Sequence, residues 1–179
     1  MVSGKLRGPV AVVRTLSARH SFGVLAVGQI RLRCVIGRGG IRAMKREGDG
    51  ASPRGRWPLT ALYYRPDRRR RPVTRIPTRA LRPDDAWCDV VGDRNYNRAV
   101  RLPYRVSDEV LWRNDRLYDL VGVLGFNSVP RRQGAGSAIF LHVAREDLSP
   151  TAGCVALAPA DLDRLLRVAP TLSAIQFGT

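Results

Sequence analysis

The sequence predicts a mainly β domain with one helix near its end. Short apolar runs interrupted by Gly, Pro and Asp recur along the 179 residues, a pattern typical of many short strands. Only residues 158–169 show a clear helical pattern. With 44% hydrophobic residues, the chain can bury its own core as one domain. It has no run of roughly 20 apolar residues, so no transmembrane segment is expected.

The first half of the chain predicts strands joined by turns. Residues 22–37 predict a hairpin that turns near Gly28, because its second arm alternates apolar and polar residues with a period of two. A turn-rich loop at 45–55 leads into a predicted strand at 56–64. Residues 68–100 carry many prolines and charges, which predicts a long loop of the kind that forms binding surfaces or lids.

The second half predicts two buried strands, at 116–127 and 137–144, followed by the helix. Pro159 suits the first turn of that helix, and Asp161 favours its positive end. An apolar stripe on one helix face consists of Leu162, Leu165 and Leu166.

The net charge of +16 comes almost entirely from arginine, since Lys5 and Lys45 are the only lysines. Guanidinium groups bind carboxylates and phosphates, which makes polyanions candidate partners. The densest cluster is Arg68–Arg71. A nucleic-acid-binding module that uses this cluster is therefore one hypothesis, although no helix-turn-helix, zinc-finger or RNA-recognition motif accompanies the arginines.

The cysteines predict neither a disulfide framework nor a zinc site, because there are three of them and no Cys-x-x-Cys pair. Cys34 lies on the apolar face of the predicted hairpin and is expected to be a small core residue. Cys88, in a polar stretch, is expected to be structural. Cys154 differs from both, because Gly153 precedes it and His142 ends the apolar strand upstream.

His142 and Cys154 together suggest a base and a nucleophile. An imidazole beside a thiol stabilises the thiolate, which is the nucleophilic form. Gly153 would let a substrate carbonyl approach the backbone closely, and amides around a nucleophile can stabilise an oxyanion. The residues alone leave a second interpretation open, in which His142 is a half-buried structural residue and Cys154 a small core residue.

The segment SAIFLHVAREDLSPTAGCVAL resembles the signature of the YkuD-type L,D-transpeptidase catalytic domain family. That signature is an apolar strand ending in His, a variable loop, then Ser or Thr, any residue, Gly, Cys and an apolar residue. Upstream, KREGDGASPRGRWPL is similar to a family loop with a Ser-Pro-x-Gly turn, here Ser52, Pro53 and Gly55. The similarity covers about residues 25–168, and its middle is similar to a divergent, short branch of the family.

The resemblance implies a β-sandwich of mixed sheets with one late helix and long loops. Residues 21–179 would form the catalytic domain, after an N-terminal arm or first strand at 1–20. Its substrates would be peptidoglycan stem peptides, as donor and acceptor, without a metal, a cofactor or nucleic acid. We therefore expect a periplasmic or cell-envelope protein, although the sequence has no clear signal peptide.

The resemblance also implies roles for individual residues. Cys154 would attack a carbonyl of the donor stem and hold it as a thioester, which an amine of the acceptor stem resolves. His142 would act as the general base. The backbone amides of Gly153 and Cys154 would stabilise the oxyanion, and the carbonyl of Val143 would orient the imidazole.

The chain departs from the common family pattern at Val143 and Ala152, where many relatives have Gly and His, and its loop between His142 and Cys154 is short. The bond made is therefore left open between two alternatives: a bond between two diaminopimelates, or a bond from the first-position L-alanine of one stem to diaminopimelate of another. With water as the acceptor, the same thioester would make the protein an L,D-carboxypeptidase or endopeptidase.

Polar residues around these segments are candidates for binding substrate. An arginine fork fits a stem-peptide carboxylate, although in so basic a chain any one arginine is also a candidate for a solvated surface charge. A tyrosine on an apolar strand is alternatively a core residue. The candidates are Thr151, Arg145, Tyr118, Asn127, Tyr96 and Arg113.

Overall fold

A computed structural model describes residues 8–16, 21–104 and 109–178 of the chain. Within these ranges the chain forms many short strands and one helix, which confirms the prediction of a mainly β domain. In chain order the elements are β1 (Val10–Thr15), β2 (Phe22–Val27), β3 (Ile30–Val35), β4 (Ile41–Arg42), β5 (Ser52–Pro53), β6 (Gly55–Tyr64), β7 (Thr78–Ala80), β8 (Asp85–Cys88), β9 (Arg98–Arg101), β10 (Glu109–Val110), β11 (Leu120–Leu124), β12 (Phe140–Val143), β13 (Val155–Leu157), α1 (Pro159–Val168) and β14 (Ala174–Phe177).

The main sheet closes on itself into a barrel. Around the wall the order is β11, β12, β13, β3, β2, β1, β14 and β6, and β6 pairs again with β11. Strand β6 makes this closure because its first residues pair with β14 and its later residues with β11. The expectation of a β-sandwich is therefore wrong in this respect, since the sheet is closed and barrel-like. Strand β7 extends the sheet as a parallel neighbour of β6.

One apolar core fills the inside of the barrel. Inward side chains of β11, β12 and β13 include Leu120, Leu141 and Val155, all of them fully buried. The predicted leucine stripe of α1 is buried in the same core, which confirms the helix and its apolar face. Each buried leucine stabilises the fold by roughly 1.5–3 kcal/mol relative to an exposed one.

A second apolar cluster covers part of the outer barrel face. It joins outward side chains of β11 and β12 to a small sheet with the order β10, β8 and β9. The segment 68–100 contains β7, β8 and the start of β9, so the prediction of one long loop was wrong. These strands have only three or four residues each, which is too short for a period of two to stand out among prolines and charges.

Other local predictions are confirmed. Strands β2 and β3 form the antiparallel hairpin, and Gly28 turns it with a φ of 54°. The predicted strand at 56–64 corresponds to β6, which begins one residue earlier, and the predicted strands at 116–127 and 137–144 contain β11 and β12.

The N-terminal strand β1 pairs with both β2 and β14. It lies within residues 1–20, for which an arm or first strand was expected. The expected domain boundary at residue 20 falls outside the described residues, so it stays a prediction. In the described part of the chain, no helix is both long enough and apolar enough to cross a membrane.

Candidate active site

The candidate site lies on the outer face of the barrel, where β12 and β13 run side by side in parallel. His142 is paired with Ala156, and Cys154 directly precedes β13. Because side chains alternate along a strand, Phe140 and His142 on one strand share a face with Cys154 and Ala156 on the other. His142 and Cys154 both line one cavity of about 350 Å³.

The His142 ring is held in one orientation. Its Nδ1 lies 2.8 Å from the carbonyl oxygen of Val143, and donation to that oxygen leaves Nε2 as the basic nitrogen. The ring packs edge-on against Tyr118, with 5.4 Å between ring centroids. Burial lowers the imidazole pKa to about 4, so His142 is neutral at physiological pH. The contact with the Val143 carbonyl is the one that the resemblance implied.

The Cys154 thiol lies between two backbone groups. Sγ donates to the carbonyl oxygen of Ala138 at 3.2 Å and accepts from the amide of Phe140 at 3.3 Å. Burial raises the thiol pKa to about 12, and the Phe140 amide opposes that rise. Burial of both groups therefore favours the neutral thiol and the neutral imidazole over their charged forms.

The turn before Cys154 is fixed from two sides. Thr151 Oγ1 accepts the Gly153 amide at 3.1 Å and donates to the Cys154 carbonyl at 2.7 Å. Ser52 Oγ donates to the Gly153 carbonyl at 2.8 Å. Gly153 has a φ of 140°, and a Cβ there would lie 2.7 Å from the carbonyl oxygen of Ala51. Only glycine therefore fits this position without displacing the backbone.

Of the two backbone amides expected to stabilise an oxyanion, one is hydrogen-bonded to a described residue and the other is not. The Gly153 amide is bonded to Thr151 Oγ1. The Cys154 amide has no protein acceptor among the described residues, so it is the one free to bind a substrate oxygen. Thr151, a candidate for substrate binding, also lines the cavity, but its hydroxyl is committed to this turn.

Tyr118 and Arg113 form one side of the cavity with a carboxylate between them. Glu109 Oε1 accepts the Tyr118 hydroxyl at 3.0 Å and lies 3.2 Å from Arg113. Arg113 also pairs with Asp115 at 2.7 Å, a hydrogen bond that raises the pKa of the guanidinium. Burial raises the pKa of Tyr118 well above its usual value. Arg113 is thus already neutralised, whereas Tyr118 is a buried wall of the cavity.

Arg145 and Arg38 line the cavity as exposed cations. Neither guanidinium forms an ion pair with any described residue. Of the two predicted arginines, Arg145 rather than Arg113 therefore has its charge available to a ligand. Arg38 was not among the predicted site residues.

The loop at 45–50 supplies cavity residues that sequence reasoning missed. Lys45 lines the cavity and pairs with Asp49 at 2.8 Å. Glu47 also lines it, and its carboxylate accepts hydrogen bonds from Ser137 at 2.7 Å and from the Tyr96 hydroxyl. Their signal in the sequence was position, because they precede the Ser-Pro-x-Gly turn that belongs to the resemblance.

Tyr96 and Asn127 lie outside the residues that line the cavity. Tyr96 is fully buried, and its hydroxyl also accepts the Gly136 amide at 3.0 Å. Asn127 bonds to the backbone of Arg132 and Gly136, closing the loop between them. Both side chains therefore shape the loop that leads into β12.

Two of the four arginines in the cluster Arg68–Arg71 form ion pairs. Arg68 pairs with Asp119 at 2.9 Å, and Arg69 with Asp163 on α1 at 2.5 Å. Arg70 and Arg71 are exposed. The first two arginines thus attach this segment to the rest of the domain. Across the described residues, no group of three or more His, Cys, Asp or Glu side chains could hold a metal ion.

Comparison with protein families matches residues 13–174 to YkuD, described as the L,D-transpeptidase catalytic domain. No curated protein and no solved structure matches the chain. Because the family match spans nearly the whole chain, the chain belongs to the YkuD family of L,D-transpeptidase catalytic domains.

Proposed function

We propose that this member of the L,D-transpeptidase family is a cysteine acyltransferase that joins two peptidoglycan stem peptides through a thioester on Cys154. One observation supports this most: Cys154 and His142 lie on the same face of adjacent parallel strands and line one cavity. Since Nδ1 of His142 is committed to Val143, Nε2 is the atom left to accept a proton.

In the acylation half-reaction, Sγ of Cys154 attacks a carbonyl carbon of the donor stem while the thiol proton passes to Nε2 of His142. The Cys154 amide donates to the oxyanion that forms. When the carbon–nitrogen bond breaks, the imidazolium returns the proton to the leaving amine. The products are a thioester on Cys154 and the C-terminal part of the donor stem.

In the second half-reaction, an amine of the acceptor stem attacks the thioester and gives its proton to Nε2. The carbon–sulfur bond then breaks and Sγ takes that proton back. A new amide bond joins the two stems, and the neutral thiol and imidazole are restored. Each half-reaction therefore begins and ends with a neutral imidazole, and Nε2 of His142 carries the proton only in between.

The resting thiol donates its proton to a backbone carbonyl, that of Ala138. The S–H bond therefore has to rotate about Cβ–Sγ before the proton can reach Nε2. Such a thiol should react slowly with small electrophiles until a substrate occupies the cavity.

Arg145 supplies a free cation for substrate recognition. Stem peptides carry carboxylates, and a guanidinium fork binds a carboxylate through two hydrogen bonds. Both cross-links remain candidates, the one between two diaminopimelates and the one from L-alanine to diaminopimelate. The protein would work in the periplasm or elsewhere in the cell envelope, where this polymer lies.

The test is mass spectrometry of purified protein mixed with defined tetrapeptide and pentapeptide muropeptides. We expect an acyl adduct on the peptide that contains Cys154 and a cross-linked dimer among the products. Fragmentation of the dimer identifies the bond that was made. Products that only gain water, with no dimer, would instead make the protein a hydrolase and refute the transferase proposal.

A further inference from the structure

The Asn97 side chain makes four hydrogen bonds, all of them to other groups of the protein. Its Oδ1 accepts the indole N–H of Trp87 at 3.0 Å and the amide of Ala138 at 3.1 Å. Its Nδ2 donates to the carbonyls of Phe126 and Asn127, both at 2.9 Å. Asn97 is only 6% exposed and has a φ of 56°, a conformation that asparagine tolerates better than most residues. One amide thus joins three separate segments.

The first connection from Asn97 to the nucleophile passes through Ala138. Ala138 has a φ of 50°, a backbone conformation that is unfavourable for an L-residue other than glycine. The hydrogen bond from its amide to Asn97 helps to stabilise that conformation. The carbonyl of the same residue accepts the thiol proton of Cys154. The orientation of that carbonyl therefore depends on Asn97.

The second connection passes through two aromatic rings. The Trp87 indole, bonded to Asn97, packs edge-on against Phe140 with 5.3 Å between centroids. The amide of Phe140 donates to Cys154 Sγ. Asn97 thus acts on both backbone groups that contact the sulfur, the one that accepts the thiol proton and the one that donates to sulfur.

We infer that Asn97 is a positioning residue for the nucleophile, which holds the backbone of residues 138–140 around Cys154 Sγ. The inference rests on the proposed function of Cys154. Asn97 is not among the residues that line the cavity, so it acts through Ala138 and Phe140 and not on the substrate. The Ala138 carbonyl stabilises the neutral thiol, whereas the Phe140 amide stabilises negative charge on sulfur during attack.

Three variants test this inference: Asn97→Ala, Asn97→Asp and, as a matched control, Asn95→Ala. Asn95 lies in the same loop, but its side-chain amide donates to the Tyr104 hydroxyl at 2.8 Å and is not hydrogen-bonded to Ala138 or Trp87. For each variant we would measure kcat and KM for cross-linking, the thermal unfolding midpoint, and the pH dependence of iodoacetamide alkylation at Cys154 by peptide mass spectrometry.

We expect Asn97→Ala to lower kcat by about 10²-fold, because a small misplacement of a reacting group has an effect of that size, with little change in KM. Its alkylation profile should move by about one pH unit, since the thiol is no longer held by its backbone partners: loss of the Phe140 amide moves the profile higher, and loss of the Ala138 carbonyl moves it lower. Asn97→Asp keeps the oxygen that accepts from Trp87 and Ala138 but places a second oxygen against the carbonyls of Phe126 and Asn127, so its kcat and alkylation profile should lie between those of the parent and of Asn97→Ala. Asn95→Ala should change neither quantity.

Two results would overturn the inference: a parent-like kcat and alkylation profile in Asn97→Ala, or a loss of kcat that follows a lower unfolding temperature with an unchanged alkylation profile. If Asn97→Ala does not fold, Asn97→Gly suits the positive φ and removes the same amide, and the same criteria apply to it. Absence of cross-linking by the unsubstituted protein would refute the proposed function, while the alkylation profiles would still decide the role of Asn97.

Discussion

Cys34 and Cys154 belong to neighbouring parts of one barrel wall but face opposite sides of it. Cys34 lies in β3, which pairs with β13, and its side chain is in the inner core. Cys154 directly precedes β13 and faces the outer cavity. The two residues are 3% and 8% exposed, and burial raises the pKa of each thiol to about 12.

What separates the two cysteines is therefore not the pKa but the surrounding groups. Cys34 is packed against Gly23 and apolar side chains. Cys154 has an amide that donates to its sulfur, a histidine on the adjacent strand and a cavity that can admit a substrate. A raised thiol pKa marks burial alone, whereas a base and a cavity on the same face indicate a nucleophile.

The largest effect on activity should come from replacing one of the two cysteines, Cys154, by alanine. We expect Cys154→Ala to lower the cross-linking rate by at least about 10³-fold, because removal of a nucleophile leaves only binding and oxyanion stabilisation. Cys34→Ala should keep kcat within about threefold and lower the free energy of unfolding by roughly 1 kcal/mol. The measurements are product formation from muropeptides and urea unfolding. Equal activity in the two variants would contradict the assignment of Cys154, and not Cys34, as the nucleophile.

A smaller effect should come from two glycines with positive φ. Ala at position 153 would bring a Cβ to 2.7 Å from the Ala51 carbonyl oxygen, whereas a Cβ at Gly28 would meet nothing within 4 Å. We expect Gly153→Ala to lower the free energy of unfolding by about 3 kcal/mol, and cross-linking should also fall because the turn carries Cys154. The matched Gly28→Ala should cost about 1 kcal/mol and leave activity unchanged. Similar costs at both positions would contradict a tightly packed turn before the nucleophile.

The smallest effect concerns the pH dependence of the free energy of unfolding, and it should be the same for Cys34 and Cys154. Above pH 9 an unfolded thiol loses its proton, whereas each folded thiol keeps it up to a pKa of about 12. The folded state then binds more protons, so each thiol lowers the free energy of unfolding by about 1.4 kcal/mol per pH unit between these values. Replacing either cysteine by alanine should therefore reduce the alkaline slope by the same amount. Urea unfolding between pH 8 and 11 measures these slopes, and a change in only one variant would show that the two thiols are not equally buried.

Sequence patterns predicted the elements whose signals are local. The hairpin, the two strands around the site and the helix follow from alternation and from the leucine stripe, which depend only on nearby residues. The joint role of His142 and Cys154 as base and nucleophile was predicted from residue type and from the resemblance to the family, not from a repeating apolar pattern. Residues 68–100 were predicted as a loop because the strands there have only three or four residues each, too few for an alternating pattern to stand out.

The wider site depends on contacts that no local pattern carries. Arg113 and Arg145 were equal candidates in the sequence, and only the tertiary structure distinguishes them, since Arg113 forms ion pairs with Asp115 and Glu109 whereas Arg145 forms none with the described residues. Asn97 was one polar residue among several in a loop-like segment. Its connection to Ala138 joins residues that are far apart in the chain, so its role became visible only in the folded protein.

Residue type and short spacing alone predicted the mainly β composition, the late helix, and a histidine and a cysteine arranged as in the L,D-transpeptidase signature. Tertiary structure decided that the sheet closes into a barrel, that the Cys154 thiol is held between Ala138 and Phe140, and which arginine keeps a free charge. The physical reason is that closure, hydrogen-bond partners and charge neutralisation are all set by distant residues that only folding brings together.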